Sequence, residues 1–322
     1  MKKLNFITII LISNLWASSS IGSATAQFLE VNLNTKNMSM GNALTSLASG
    51  ASASLINPSG IVDFNGNDMA RFDTYFSYLK WPADINFGSL NMAYKPSFIG
   101  TFCINATFVN YGDEKRTTPD NPMGDGTFSM SSSSIGLTYG RYLTDKFSIG
   151  VTAKLISEDF DGTSYSQLAY DIGTMYRTGF RNMKIGMSIL HFSKEAKFSG
   201  NFKDYSNKIK LAEDKKSKYE NWPFPMTFRT GLSMDAYTTY NYKILVAFDM
   251  IHTNNSSEKF GFGTEFQYLN RYFIRGGYQL GTDIEGLATG FGMKISSLVF
   301  DYALNSMEYF GIRHRFAIGY SF

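Results

Sequence analysis

Three histidines and one cysteine are the side chains in this 322-residue chain best suited to proton transfer, soft-metal binding or thiol chemistry. His191 and His252 fall near strand ends at the loop side and His314 on the lipid side near a rim, as interfacial or loop residues, and Cys103 stands alone, so no ligand spacing for a metal arises and an intrachain disulfide is ruled out. No Ser/His/Asp arrangement stands out. A phospholipase built on a barrel would pair a membrane-face His with a Ser, and no motif carries that pairing. "FGFGTEF" and "TGFGMKI" look like phosphate loops, but they alternate inside strand-like segments, where Gly thins a wall or eases curvature. The expectation is therefore no enzyme, no metal and no cofactor. The charges carry more. Arg71, Asp73, Lys154, Asp171, Arg229, Asp249, Glu265, Arg275, Lys294, Asp301 and Arg315 all fall on the polar face of alternating segments. Mixed signs on one enclosed face suggest ion pairs that close an interior. The functional alternative is a polar permeation path.

Those charges need elements to hold them. "KFSIGVTAKLIS" places Phe147, Ile149, Val151, Ala153 and Leu155 on one face, with Ser148, Gly150, Thr152 and Lys154 on the other. "EKFGFGTEFQY" and "MTFRTGLSMD" repeat the pattern, which marks strands with one apolar and one polar face. The segments run about ten residues or more, the length a tilted bilayer-spanning strand needs, whereas sandwich strands are typically five or six. Their polar face is mostly Gly, Ser and Thr with occasional charges, as expected of residues lining a wet lumen while the apolar face meets lipid. Fourteen such segments lie near 68–80, 85–95, 98–110, 130–142, 146–158, 165–178, 182–193, 225–236, 241–252, 258–269, 271–280, 285–296, 298–305 and 312–322. The fold class is all-β, a 14-stranded antiparallel transmembrane barrel occupying residues 68–322.

The connections agree with that count. Short turns follow the even-numbered strands, around Lys95-Pro96-Ser97, Leu143-Thr144-Asp145, Gly179, Tyr237 to Tyr240, Asn270 and Ser296-Ser297. The odd-numbered strands are followed by every long one, "YGDEKRTTPDNPMGDGTFS", "EDFDGTSY" and the stretch from Lys194 to Phe224. Such asymmetry is how bacterial outer-membrane barrels are built. The final strand, "HRFAIGYSF", sets His314, Phe316, Ile318, Tyr320 and the terminal Phe322 on one face, an ending that resembles the signal read by the outer-membrane insertion machinery.

Residues 1–26 read as a secretory signal peptide, with Lys2 and Lys3, an apolar stretch from Asn5 to Trp16 and an Ala24-x-Ala26 cleavage pattern. Removing two of the 30 basic residues leaves 28 against 27 acidic ones, a balance that argues against nucleic acid as a partner. No window after residue 26 is apolar enough for a membrane helix. The expected location is the outer membrane of a Gram-negative bacterium.

Residues 27–67 precede the wall. Within them "NMSMGNALTSLASGASAS" can form one short helix, and Asn57-Pro58 breaks both helix and ladder. A stretch this short cannot form a domain, and its small side chains allow close approach to an inner wall. The expectation is a lumenal plug, with Pro58 fixing the bend that hands over to the first strand; the alternative is a disordered periplasmic tail.

This same stretch, "SMGNALTSLASGASASLINPSGI", resembles the amino-terminal signature of the PorV/PorQ family, itself similar to the FadL-type fatty-acid channels. Met40, Gly41 and Ala43 match a Met-Gly-x-Ala element, and Asn57, Pro58, Ser59 and Gly60 match an Asn-Pro-Ala-Gly motif with Ser in place of Ala. Pro225, Thr227, Arg229 and Gly231 fit that family's Pro-x-Thr-x-Arg-x-Gly strand, and Asp301, Tyr302, Gly311, His314, Arg315 and Phe322 fit its ending. The segment "ASGASAS" lacks the acidic pair common before the Asn-Pro. The resemblance implies an outer-membrane barrel serving type IX secretion, whose partners are secreted cargo and translocon or attachment-complex proteins. The loop aromatics Phe198, Phe202, Tyr205, Tyr219 and Trp222, set among charges, are candidates for docking such partners, as interfaces favour that mixture. The alternative function is a FadL-like transporter of hydrophobic small molecules. It would need an apolar cavity inside the wall, and the lumen-facing lists, mostly Gly, Ser, Thr and charges, speak against one.

Overall fold

A computed structural model of the chain describes residues 22–64, 69–96, 98–117, 121–124, 126–203, 216–282, 285–307 and 311–322. Fourteen antiparallel strands close into one barrel. They are β1 (Phe72–Lys80), β2 (Asn86–Tyr94), β3 (Thr101–Lys115), β4 (Thr127–Thr144), β5 (Phe147–Phe160), β6 (Thr163–Arg177) and β7 (Lys184–Ser193). After the long connection come β8 (Thr227–Thr238), β9 (Tyr242–Thr253), β10 (Lys259–Tyr268), β11 (Tyr272–Leu280), β12 (Glu285–Ile295), β13 (Leu298–Met307) and β14 (Gly311–Ser321). Each strand pairs with its sequence neighbours, and β1 closes the ring on β14 from Asp73↔Ser321 to Leu79↔Arg315.

The pleat sorts the side chains as the alternation requires. Along β5, Ser148, Gly150, Thr152 and Lys154 are buried while Val151 and Leu155 are exposed. Phe262 and Phe316 are 45% and 54% exposed. Two stacked sheets would have buried them in a shared dry interior, so these rings face outward, where lipid lies. The apolar band and the full closure, which leaves no unpaired edge, define an outer-membrane barrel. Among the described residues no helix is long and apolar enough to cross a membrane, which says nothing against crossing by strands.

One connection departs from the expected asymmetry. "EDFDGTSY" is no long loop: β5 and β6 run on through it, leaving Asp161 and Gly162 as a two-residue hairpin turn. Both have positive φ, 57° and 76°, the backbone a primed turn demands. The four strands from β3 to β6 reach 14 to 18 residues, well beyond a bilayer crossing, so this hairpin pair rises above the rest of the loop-side rim. The connection from β7 to β8 carries a small hairpin, Asn201–Lys203 paired with Lys216–Lys218, and a bridge from Ala196 to Trp222.

Residues 1–21 of the expected signal peptide lie outside the described residues. From Gly22 on, the chain runs inside the barrel. The plug expected as one short helix is instead a five-residue α1 (Thr35–Ser39) with 3-10 turns at Gln27–Glu30, Ala51–Leu55 and Pro58–Val62. Asn34 caps α1 by accepting a hydrogen bond from the Asn37 backbone N–H at 2.9 Å. Gly41, Gly50 and Asn42 then take left-handed or related positive-φ conformations, and the helix cannot continue.

Candidate functional site

The plug is held by contact with a track of lumenal glycines. A Cβ on Gly277 would lie 2.2 Å from Gly41 N and from Met40 C, and one on Gly261 would lie 2.4 Å from Gly41 O. Opposite, Gly150 meets the Pro58 backbone at 2.3 Å and Gly173 meets Asn57 Oδ1 at 2.1 Å on the same measure. The two motifs of the plug, Met40-Gly41-x-Ala43 and Asn57-Pro58-Ser59-Gly60, are thus its two docking points on the wall. Asn57 accepts from Ser59 N and Oγ and donates to the carbonyls of Thr45 and Thr174. Pro58 starts the last 3-10 turn, Pro58–Val62, packed against β5 and β6 and well ahead of β1 at Phe72, and does not itself hand the chain over to that strand.

Charges on the polar face complete the attachment. Arg229 donates to Thr45 Oγ1 at 3.0 Å, to Asn42 O at 2.8 Å and to Asp249 at 3.3 Å. Asp249 in turn accepts from Thr45 N at 2.9 Å and Thr45 Oγ1 at 2.5 Å. Lys36 of the plug sits 3.1 Å from Glu265, and Arg275 bridges Glu265 at 2.6 Å and Asp301 at 2.5 Å. Asp73 accepts from Ala51 N at 2.5 Å and from Ser321 Oγ. Arg315 is buried on the same face, and Lys294 is half-buried. Arg71 departs from the expectation: it lies exposed just before β1, its backbone donating to Phe322 O and accepting from Lys95 N.

Higher in the lumen, Lys154 and Asp171 pair at 2.8 Å. His191 joins them, against the expectation of a loop-side residue. A register shift between β6 and β7 turns it inward with φ 63°, its N–H donating to Asp171 at 2.7 Å. Lys154 Nζ lies 2.7 Å from His191 Nδ1. An ammonium can only donate, so Nδ1 accepts and the imidazole carries its proton on Nε2. His252 and His314 stay exposed, facing Glu258 and the Tyr302 hydroxyl.

Beside this cluster is a cavity of about 510 Å³ between Gln27–Leu33 and the wall. Phe28, Val31 and Leu33 form its plug side, while Trp81, Leu190 and Ile251 line the wall among polar groups that include His191 and Arg229. A buried apolar cluster adjoins it, built from inward-facing Leu79, Phe87, Val109, Ile156 and Tyr165 with Phe28 and Leu33. The expectation of a lumen lined mostly by Gly, Ser, Thr and charges holds for much of this cavity but missed its apolar side. At the loop-side ends of β1, β2, β3 and β5 the inward parity falls on large apolar residues. That parity was present in the sequence; the apolar character of both faces there hid it.

Of the loop aromatics, Phe198 is turned into the barrel mouth, stacked on Phe160 at 5.5 Å and edge-on to Tyr165 at 4.9 Å. Tyr219 lies 5.8 Å from Phe198, and Trp222 is 39% exposed. Tyr205 and the side chain of Phe202 lie outside the described residues. Phe316, Ile318, Tyr320 and Phe322 keep their common outward face, with Phe322 stacked on Phe72 at 5.1 Å.

No family model matches the sequence, and no curated protein matches it. Solved structures do. The toluene transporter TbuX of Ralstonia pickettii superposes with a TM-score of 0.56 at 13% identity, over 89% of this chain and 97% of that one. CymD, a monoaromatic hydrocarbon channel, gives 0.59 at 10% identity over 91% and 98%, and the Pseudomonas putida toluene transporter TodX 0.55 at 12% over 89% and 97%. The likeness establishes the fold, a 14-stranded outer-membrane barrel, and lends nothing to PorV/PorQ membership in particular.

Proposed function

We propose that this barrel carries small, largely apolar molecules across the outer membrane, receiving them from the loop side into the cavity above the plug. The observation that carries the reading is an apolar patch in that cavity, Phe28, Val31 and Leu33 from the plug facing Trp81, Leu190 and Ile251 of the wall, set among more numerous polar groups such as Asn105, Thr227 and Gln279. Such a mixed lining suits a small apolar molecule that also carries a polar group. The structural neighbours whose titles name toluene or monoaromatic hydrocarbons support the same direction. The reading is non-enzymatic.

The cargo-docking function implied by the motif resemblance has less to support it. Phe198 packs inward, and of the five proposed docking aromatics Trp222 is the exposed one among the described side chains.

Trp81 lines the cavity and reports on it. In a Trp222→Phe background, toluene added to the purified barrel is expected to change Trp81 emission saturably. Ile251→Arg, which places a charge on the cavity wall, is expected to weaken that response by about tenfold or more, the equivalent of losing one well-buried apolar contact. A heat-modifiable electrophoretic shift verifies that the variant barrel is folded. A response that never saturates, or one that Ile251→Arg leaves untouched, overturns the proposal.

A further inference from the structure

Glu158, near the loop-side end of β5, is 3% exposed and has no cation within ion-pair distance among the described residues. The buried carboxylates Asp171, Asp249 and Glu265 each face one, while Asp73 shares with Glu158 the lack of a paired cation and accepts from Ala51 N and Ser321 Oγ. Four donors surround Glu158 instead. Oε2 accepts from Thr25 Oγ1 at 2.9 Å, from Ala26 N at 3.1 Å and from the Tyr165 hydroxyl at 2.6 Å, while Oε1 accepts from Ser132 Oγ at 3.0 Å. Two of those four donors belong to residues that precede Gln27.

Processing at the Ala24-x-Ala26 pattern would remove both. Water adds across the Ala26–Gln27 peptide bond under a leader peptidase. The carboxylate leaves with Ala26, and the amine, protonated, stays on Gln27. Of its present donors Glu158 would then keep only Tyr165 and Ser132, beside a vacated space in which a cation could pair with the carboxylate. The space vacated adjoins a pocket of about 260 Å³ lined by Tyr111, Phe160, Phe198 and Trp222 as well as Glu158 and residues 24–27. Aromatic rings beside a carboxylate attract an organic cation. The new terminus starts one residue after Ala26, whose N–H already reaches Glu158.

We propose that Glu158 and the aromatic residues around it form an ammonium-binding site, filled in the processed chain by the α-ammonium of Gln27. The pairing straps the start of the plug to β5, and with it the segment Gln27–Leu33 that walls the larger cavity. An external alkylammonium is the other source of the same chemistry, and the experiment separates the two.

The barrel is purified from outer membranes, its amino terminus is read by intact mass, and the folded protein is treated with an amine-reactive label. A chain starting at Gln27 is expected, with its α-amine labelled about tenfold more slowly than in Glu158→Gln, the factor of one charge-assisted hydrogen bond. Phe198→Leu, which thins the aromatic wall and leaves the charge, is expected to raise the rate by a smaller factor and serves if Glu158→Gln fails to fold. Butylammonium is added in parallel while Trp222 emission is followed. If the α-amine is equally reactive in both proteins, or blocked by cyclisation of Gln27, a saturable butylammonium response in wild type that is absent from Glu158→Gln assigns the site to an external amine. Equal labelling without that response overturns the proposal, as does a chain that begins elsewhere and gives no response.

Discussion

Arg229 reaches from β8 into the plug and touches three things at once, the Thr45 hydroxyl, the Asn42 carbonyl and Asp249. Asp249 is wholly buried, so its charge depends on that guanidinium. Arg229→Met is expected to destabilise the folded barrel by about 3–5 kcal/mol, because a buried carboxylate is left without its partner. Equilibrium urea unfolding in lipid vesicles measures it, and a change below ~1 kcal/mol would show the pair to be dispensable. That these charges face inward was legible from period two alone. Which charge meets which was not: Arg275 bridges Glu265 on the adjacent strand and Asp301 two strands away, while Lys36 arrives from a segment more than two hundred residues away. His191 was misplaced for a similar reason, since the register shift that turns it inward leaves no mark in the alternation.

Among the elements, the plug and the wall fit through missing side chains. Gly261 and Gly277 present bare backbone to Met40-Gly41, with no room for a methyl group. Gly277→Val is expected to keep the barrel closed, since Val suits a strand, while forcing the plug off its seat. Planar-bilayer recordings then show conductance well above wild type; identical conductance would mean the plug adjusts without opening a path. The sequence motif announced a segment that packs closely. It did not reveal that the two halves of the motif dock on opposite sides of the lumen, or that Asn57-Pro58 serves the wall instead of the bend before β1.

On the scale of the molecule, the wall is a single closed sheet whose outer surface has lipid as its solvent. Leu90, the fifth of nine residues in β2 and 44% exposed, lies in that band. Leu90→Arg is expected to cost about 2–4 kcal/mol, the penalty for a charge near mid-bilayer on a barrel's lipid face. Equilibrium unfolding from vesicles is again the measurement, with Ser89→Thr on the lumenal side as the milder comparison. A negligible cost at Leu90 would mean that the face is wet. The taller hairpin pair of β3 to β6 and the bridged connection from β7 to β8 shape the mouth of the same barrel, above the cavity on which the transport proposal rests.

Strand number, the direction each face looks and the presence of a segment outside the wall were all determined by the sequence by itself. Each is written in a local repeat: two residues per pleat, about ten per crossing, a turn signal between. The cavity and the Glu158 pocket were decided only by tertiary structure. Both form where residues remote in sequence meet, Phe28 with Ile251 and Ala26 with Glu158, and no periodicity records a meeting that depends on how a ring of strands closes around its own amino-terminal chain.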